Sequence, residues 1–230
     1  VDKPETAVIV GAGTGLSASL ARLFAKDGMK VALAARNREK LEGLAGEIGG
    51  RAYQCDVSSI DDVASLFGAV DEDFGPPDVV VFNASARQRA PLIDLDPAKV
   101  RDAVLVTAFG GFLVAQQAAK RMLTQGHGTI LLTGASAGVK GFPQSATFAM
   151  GKFGLRGLAQ SMARELHPQN VHVAHVVIDG GILNPNRPGD RGEDGWLDPD
   201  AIAETYLQLH RQHRSAWAWE IELRPWVEKF

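Results

Sequence analysis

The apolar run Ala7–Val10 feeds directly into Gly11-Ala12-Gly13-Thr14-Gly15-Leu16-Ser17, and a helix-period segment, Leu16–Lys26, follows at once. This junction constrains the fold more than any other feature of the chain. A glycine-rich turn between a first strand and a first helix lets the backbone come close to a pyrophosphate. The free N–H groups and positive end of the helix then face that anion. The spacing G-x-G-x-x-G fails, because position 16 is leucine. The spacing G-x-x-x-G-x-G fits, with Gly11 and Gly15 in place and Ser17 at the last glycine. An ordinary tight turn accounts poorly for three glycines in five residues, so Gly11, Gly13, Thr14, Gly15 and Leu16 are read as a phosphate cradle.

The rest of the chain repeats that strand–helix alternation. Short apolar runs lie at Val31–Ala35, Ala52–Gln54, Val79–Phe82, Thr129–Thr133 and Val171–Ile178, and Ala216–Leu223 reads as a last strand. Most are continuously apolar, as strands covered on both faces are. Helical patterns occupy Arg38–Ile48, Asp61–Asp73, Pro97–Leu123, Ser145–Leu166 and Asp200–Gln212. Ser59 caps a helix opening with Asp61 and Asp62, and Gly28 suits a left-handed helix end. This alternation predicts a Rossmann-like α/β fold, a doubly wound parallel sheet sandwiched between two helical layers. A length of 230 residues favours one domain spanning 1–230. Residues 184–212 are read as a substrate lid, because Asn184–Pro199 is rich in Pro, Gly and charge.

Net charge is −3, which argues against an electrostatic nucleic-acid binder. The one cysteine, Cys55, leaves no intrachain disulfide and fits a reducing compartment, so a cytoplasmic location is expected. No apolar run approaches the roughly 18 to 20 residues that span a bilayer, and no signal peptide is visible. No metal site is expected. His172 and His175 are three apart on a strand and point to opposite faces.

The end of the second strand selects between nucleotides. An acid there would hydrogen-bond a ribose, whereas this chain has Ala35-Arg36-Asn37-Arg38. A guanidinium grips a 2′-phosphate as a fork, so Arg36 with Asn37 points to NADP(H) over NAD(H).

Together these features resemble the short-chain dehydrogenase/reductase family along nearly the whole chain. Gly11–Ser17 is similar to that family's TGxxxGIG loop. Asp56-Val57 is similar to its adenine-contacting pair, and Phe82-Asn83-Ala84-Ser85 to its NNAG stretch. Ile130–Gly138 resembles the strand ending in the catalytic serine, and Asp179-Gly180-Gly181-Ile182 its PG motif beside the nicotinamide. The resemblance implies seven strands in order 3-2-1-4-5-6-7. It implies that Asp56, Val57, Asn83, Ala84, Ser85, Lys152, Gly180 and Ile182 contact the nucleotide. It also implies a homodimer or homotetramer.

The chain departs from the family at the reacting centre. The family's YxxxK motif reads Phe148-Ala149-Met150-Gly151-Lys152, so the lysine stands and the phenol does not. The family serine falls at Ala135, with Ser136 one place on, and its helix asparagine falls at Thr107. Lys152, Ser136 and Phe148 are therefore the expected reaction-site residues. Loss of a positioned general acid costs on the order of 10²–10⁴ in rate. Asp179 and Tyr206 are weighed as replacement acids, Asp179 more readily as a turn former, and Arg87 and Arg89 as binders of an acidic substrate or as solvated charges. The expected function is an NADP(H)-dependent oxidoreductase acting on a carbonyl, alcohol or activated C=C small molecule, with an altered catalytic site. The alternative is a non-catalytic NADP(H)-binding sensor or scaffold.

Overall fold

The computed structural model describes residues 3–184 and 191–228. Seven parallel strands form one sheet in the order β3-β2-β1-β4-β5-β6-β7. They are β1 (Thr6–Val10), β2 (Lys30–Ala35), β3 (Arg51–Gln54), β4 (Val79–Phe82), β5 (Gly128–Thr133), β6 (Val171–Ile178) and β7 (Glu220–Leu223). The central strand β1 aligns Ile9 with Leu33 on one side and with Val81 on the other. This is the doubly wound sheet and strand order expected from the sequence.

The continuous apolar runs exist because both sheet faces are covered. On β1, Val8 and Val10 point into one core, with α3 (Ile60–Asp73), α5 (Gly110–Gln125) and α6 (Ala146–Leu166) above them. Ala7 and Ile9 point into the other, under α1 (Leu16–Lys26), α2 (Glu39–Ile48) and α7 (Pro199–Arg211). All these strand residues are fully buried. A period of two on a strand with two apolar faces leaves no polar position. Local signals also hold. Ser59 accepts from the Asp62 N–H at 3.2 Å, and Gly28 is left-handed at φ +89°.

Three expectations are corrected. The single helix expected over Pro97–Leu123 is divided into α4 (Pro97–Val104), a π-helical stretch Leu105–Phe109 and α5. The π turn places the buried Thr107 so that its Oγ1 accepts from the Ala86 N–H at 3.0 Å, a bond no periodicity announces. The last strand is shorter than Ala216–Leu223. Trp217 leaves the sheet and stacks on His172, with ring centroids 4.7 Å apart and planes 2° apart. The expected lid 184–212 also narrows. Pro199–Arg211 is a regular helix whose Ile202, Tyr206 and Leu209 are sealed in the core against α1, so it does not cover a site as a loose flap. Part of the remaining lid segment, 185–190, lies outside the described residues. No helix among the described residues is long and apolar enough to cross a membrane.

Candidate functional site

At the carboxyl edge of the sheet the connections from β1 and β4 leave toward opposite faces, which opens a crevice between them. The glycine turn forms its floor. Gly11 is left-handed at φ +83°, and a Cβ there would lie 2.3 Å from the Ala84 backbone nitrogen. The N–H groups of Gly11 and Ala12 both donate to the Ala34 carbonyl at 2.9 Å, which ties the turn to β2. No side chain caps the start of α1, so its positive end faces the crevice. Ser17, which stands where the pattern has glycine, is buried. Its hydroxyl donates to the Gly11 carbonyl and accepts from Asn83 Nδ2 at 2.7 Å. The substitution thus bolts the turn to the end of β4.

Three hollows join along this edge, and Asn83 and Ser85 line all of them. The first, about 400 Å³, lies over Gly11, Gly13, Thr14, Gly15 and Leu16. The second, about 260 Å³, is bounded by Arg36, Asp56, Val57 and Ala84. The third, about 570 Å³, holds Ser136, Phe148, Lys152, Gly180 and Ile182. Asn37 lies on a shallow recess beside Arg36. Every residue expected to contact the nucleotide or form the reaction site therefore lines one of these adjoining hollows or the recess beside them, Arg89 alone of the weighed substrate contacts lying outside.

The two ends of the trough differ in charge. At the β2 end Arg38 is held by Glu42 at 2.7 Å, while Arg36 is exposed and enters no ion pair among the described residues. Two hydrogen bonds from Ser58, and then the Arg36 charge, hold the Asp56 carboxyl below the usual carboxylate range. At the other end Lys152 is only 3% exposed. Its Nζ donates to the Thr133 carbonyl at 2.6 Å. Burial, and then the Arg87 guanidinium, bring the lysine from 10.5 down to about 7. The Phe148 ring is half-buried, with Arg87 5.3 Å from its centroid on one side and Lys152 5.7 Å on another.

Both candidate replacement acids are elsewhere. Tyr206 is fully buried, shares a 2.8 Å hydrogen bond with Thr133 Oγ1 and has its phenol pushed up by burial, so it does not reach the cavity. Asp179 pairs with Arg224 at 2.9 Å and is absent from the cavity wall. Arg87 does line the cavity, and Arg89 does not. The sequence reading missed Arg191 and Trp196, which close the outer wall with the guanidinium 4.8 Å over the indole. The one prior signal was a tryptophan inside an otherwise polar lid segment. Among the described residues no group of three His, Cys, Asp or Glu side chains is placed to hold a metal ion. A separate hollow of about 410 Å³ lies between His167, Asn170, Arg214 and Trp217, with neither glycine turn nor buried cation.

A doubly wound sheet with a glycine cradle at its switch point defines a Rossmann-type nucleotide-binding protein. The comparisons narrow this further. The short chain dehydrogenase family model matches residues 5–187. The solved structure of a short-chain dehydrogenase from Rhodopseudomonas palustris is 37% identical and covers 98% of this chain and 100% of its own, with a TM-score of 0.85. An alcohol dehydrogenase from the archaeon Thermococcus sibiricus, solved with 5-hydroxy-NADP, is 26% identical over 99% of each chain, with a TM-score of 0.88. The 3-oxoacyl-acyl-carrier-protein reductase MabA of Mycobacterium tuberculosis is 34% identical over 76% of this chain and 68% of its own length. The chain belongs to the short-chain dehydrogenase/reductase family, a family of oxidoreductases.

Proposed function

We propose that this chain is an NADP(H)-dependent oxidoreductase that acts on a carbonyl, alcohol or activated C=C small molecule through a catalytic site altered at the tyrosine and serine positions. The observation that carries the reading is the connected trough. It has a glycine cradle in the middle, a free guanidinium at one end and a buried lysine at the other.

The residues fit a nicotinamide dinucleotide. Gly13 has open space above it, so the turn leaves room for a diphosphate against the start of α1. Arg36 and Asn37 take the 2′-phosphate, with Asp56 and Val57 beside the adenine ring and Lys152 on the nicotinamide ribose. Asn83, Ala84 and Ser85 form the wall, and Gly180 and Ile182 back the nicotinamide. When bound, the reduced nicotinamide supplies a hydride. The protein's part is to orient the acceptor between Ser136, Phe148 and the nicotinamide face. The T. sibiricus enzyme was solved with an NADP derivative, and a metagenomic short-chain oxidoreductase was solved with NADP, which supports the same choice here.

Phe148 takes the tyrosine position on this reading and fills the pocket without supplying a proton. Helices α5 and α6 leave Phe112, Met150 and Phe153 at least 40% exposed, which supports the expected homodimer or homotetramer.

Titration of nucleotide fluorescence, followed by a panel of ketones, enones and thioesters with NADPH, tests the proposal. NADPH is expected to bind more tightly than NADH and to be oxidised by at least one carbonyl or enone class. Failure to bind either nucleotide would end the reading. Binding without turnover on any class would leave only the sensor or scaffold role.

A further inference from the structure

Phe148 leaves the reaction cavity without a phenol, so a carbonyl reduced there draws its proton from another group. The exchangeable side-chain protons on the cavity wall belong to Asn83, Ser85, Thr133, Ser136, Arg87, Arg191, Trp196 and Lys152, and the amide and indole N–H groups donate hydrogen bonds without giving up their protons. Alcohols are far too weakly acidic to protonate an alkoxide unaided at neutral pH, and a guanidinium keeps its proton under all protein conditions. Lys152 differs from both.

Its side chain is almost wholly buried, yet Lys152 is one of the residues that line the cavity. Among the described residues no carboxylate lies within ion-pair distance of it, and its hydrogen bonding consists of the single contact to the Thr133 carbonyl at 2.6 Å. An ammonium carries three N–H groups, so two remain for whatever enters the cavity. The charged groups around it do not compensate its charge. Arg87 faces it from the loop after β4. His175 faces it from β6, held at 2.9 Å by Glu220 of β7. That glutamate is already claimed by two 2.7 Å bonds from Arg156, one turn along α6. Tyr206 of α7 is occupied with Thr133 Oγ1.

We propose that Lys152 is the proton donor of this site, in the role the absent phenol would have had. The proposal rests on the reductase reading above. A C–H bond forms at the carbonyl carbon as the hydride arrives from the reduced nicotinamide dinucleotide, which is oxidised. The carbonyl π pair moves to oxygen. That oxygen takes one proton from the Lys152 ammonium, giving the alcohol and a neutral amine. Water entering the open cavity returns the proton. Burial among cations lowers the cost of releasing that proton, and its value of about 7 matches the task.

Titration and substitution together test this. The ¹³Cε shift of Lys152 in the protein without nucleotide is expected to titrate with a midpoint near 7, and kcat with NADPH is expected to fall as pH rises past neutrality. Lys152→Arg keeps a cation but gives up no proton. It is expected to lower kcat about 100-fold or more at saturating NADPH. In a Phe148→Tyr background the phenol supplies the proton, and the same change is expected to cost less than about tenfold. A Lys152 midpoint above about 9 would overturn the proposal. So would equal costs in the two backgrounds, or a Lys152→Arg protein that turns over at the natural rate, and both outcomes leave the reductase reading standing. Absence of turnover in the natural protein across the whole panel would remove the reading and the proposal together.

Discussion

The two halves of the trough follow different rules. The cradle half is built from backbone: a left-handed Gly11, two N–H groups tied to Ala34, and an uncapped helix start. The reaction half is built from side chains, and its centre is a buried lysine against an aromatic ring flanked by two cations. Backbone geometry tolerates little drift at Gly11, where the Ala84 backbone leaves no room for a side chain. Side-chain chemistry can be exchanged while the cavity keeps its shape. On the function proposed above, the fold holds its nucleotide-binding half close to the family pattern while the chemistry beside it diverges. Binding and turnover should then respond to different substitutions.

The largest expected effect lies in the cradle. Gly11→Ala puts a methyl 2.3 Å from the Ala84 backbone nitrogen in a conformation that alanine resists. It should weaken NADPH by at least about 100-fold and cost on the order of 3 kcal/mol of stability, read by titration and denaturant unfolding. Gly13→Ala meets open space and should change stability by less than about 1 kcal/mol. If the two variants behave alike, the cradle is not held by backbone contact.

Next is Arg36→Ala. A fork to a 2′-phosphate contributes about 1.5–3 kcal/mol, so NADPH should weaken roughly 10- to 100-fold while NADH changes little. Equal losses for both nucleotides would show that Arg36 acts only on helix α2.

Much of this was legible beforehand. Strand and helix periods follow local chemistry, and the glycine cradle sits on a turn immediately after a strand, so its spacing survives in the sequence, while Phe148 and Lys152 are legible through their four-residue spacing on α6. Thr107 was not legible as a π turn, since its bond to Ala86 crosses from another loop. Trp217 reads as strand until His172 offers it a flat partner. Arg191 and Trp196 reach the cavity by a chain path that no period encodes. The identity of the residue facing Lys152, whether Arg87 or an acid, decides its titration, and only the folded chain shows it.

Lys152→Met probes the reaction half at a smaller magnitude. The unfolded chain keeps the lysine proton to 10.5 and the folded chain only to about 7. The lysine therefore costs stability in full below about pH 7, and that cost fades as pH climbs toward 10.5. Turnover should be lost, yet the variant should be more stable at pH 7 by about 1–3 kcal/mol, with the gain shrinking at pH 10. A variant that is less stable at neutral pH would mean the ammonium is compensated in the fold and was never available to substrate.

The smallest effect is expected at Asp179, the carboxyl nearest the reacting end along the sequence. Its partner is Arg224, and the two side chains are 11% and 17% exposed. Arg224 also pairs with Glu222, so Asp179→Asn leaves the guanidinium with an acid and should cost only about 1 kcal/mol. Rates should stay within about twofold at every pH, because the carboxyl faces the β7 side and not the cavity. A pH-dependent loss of kcat in this variant, with stability unchanged, would make Asp179, just after β6, the acid and return Lys152 to holding the nucleotide alone.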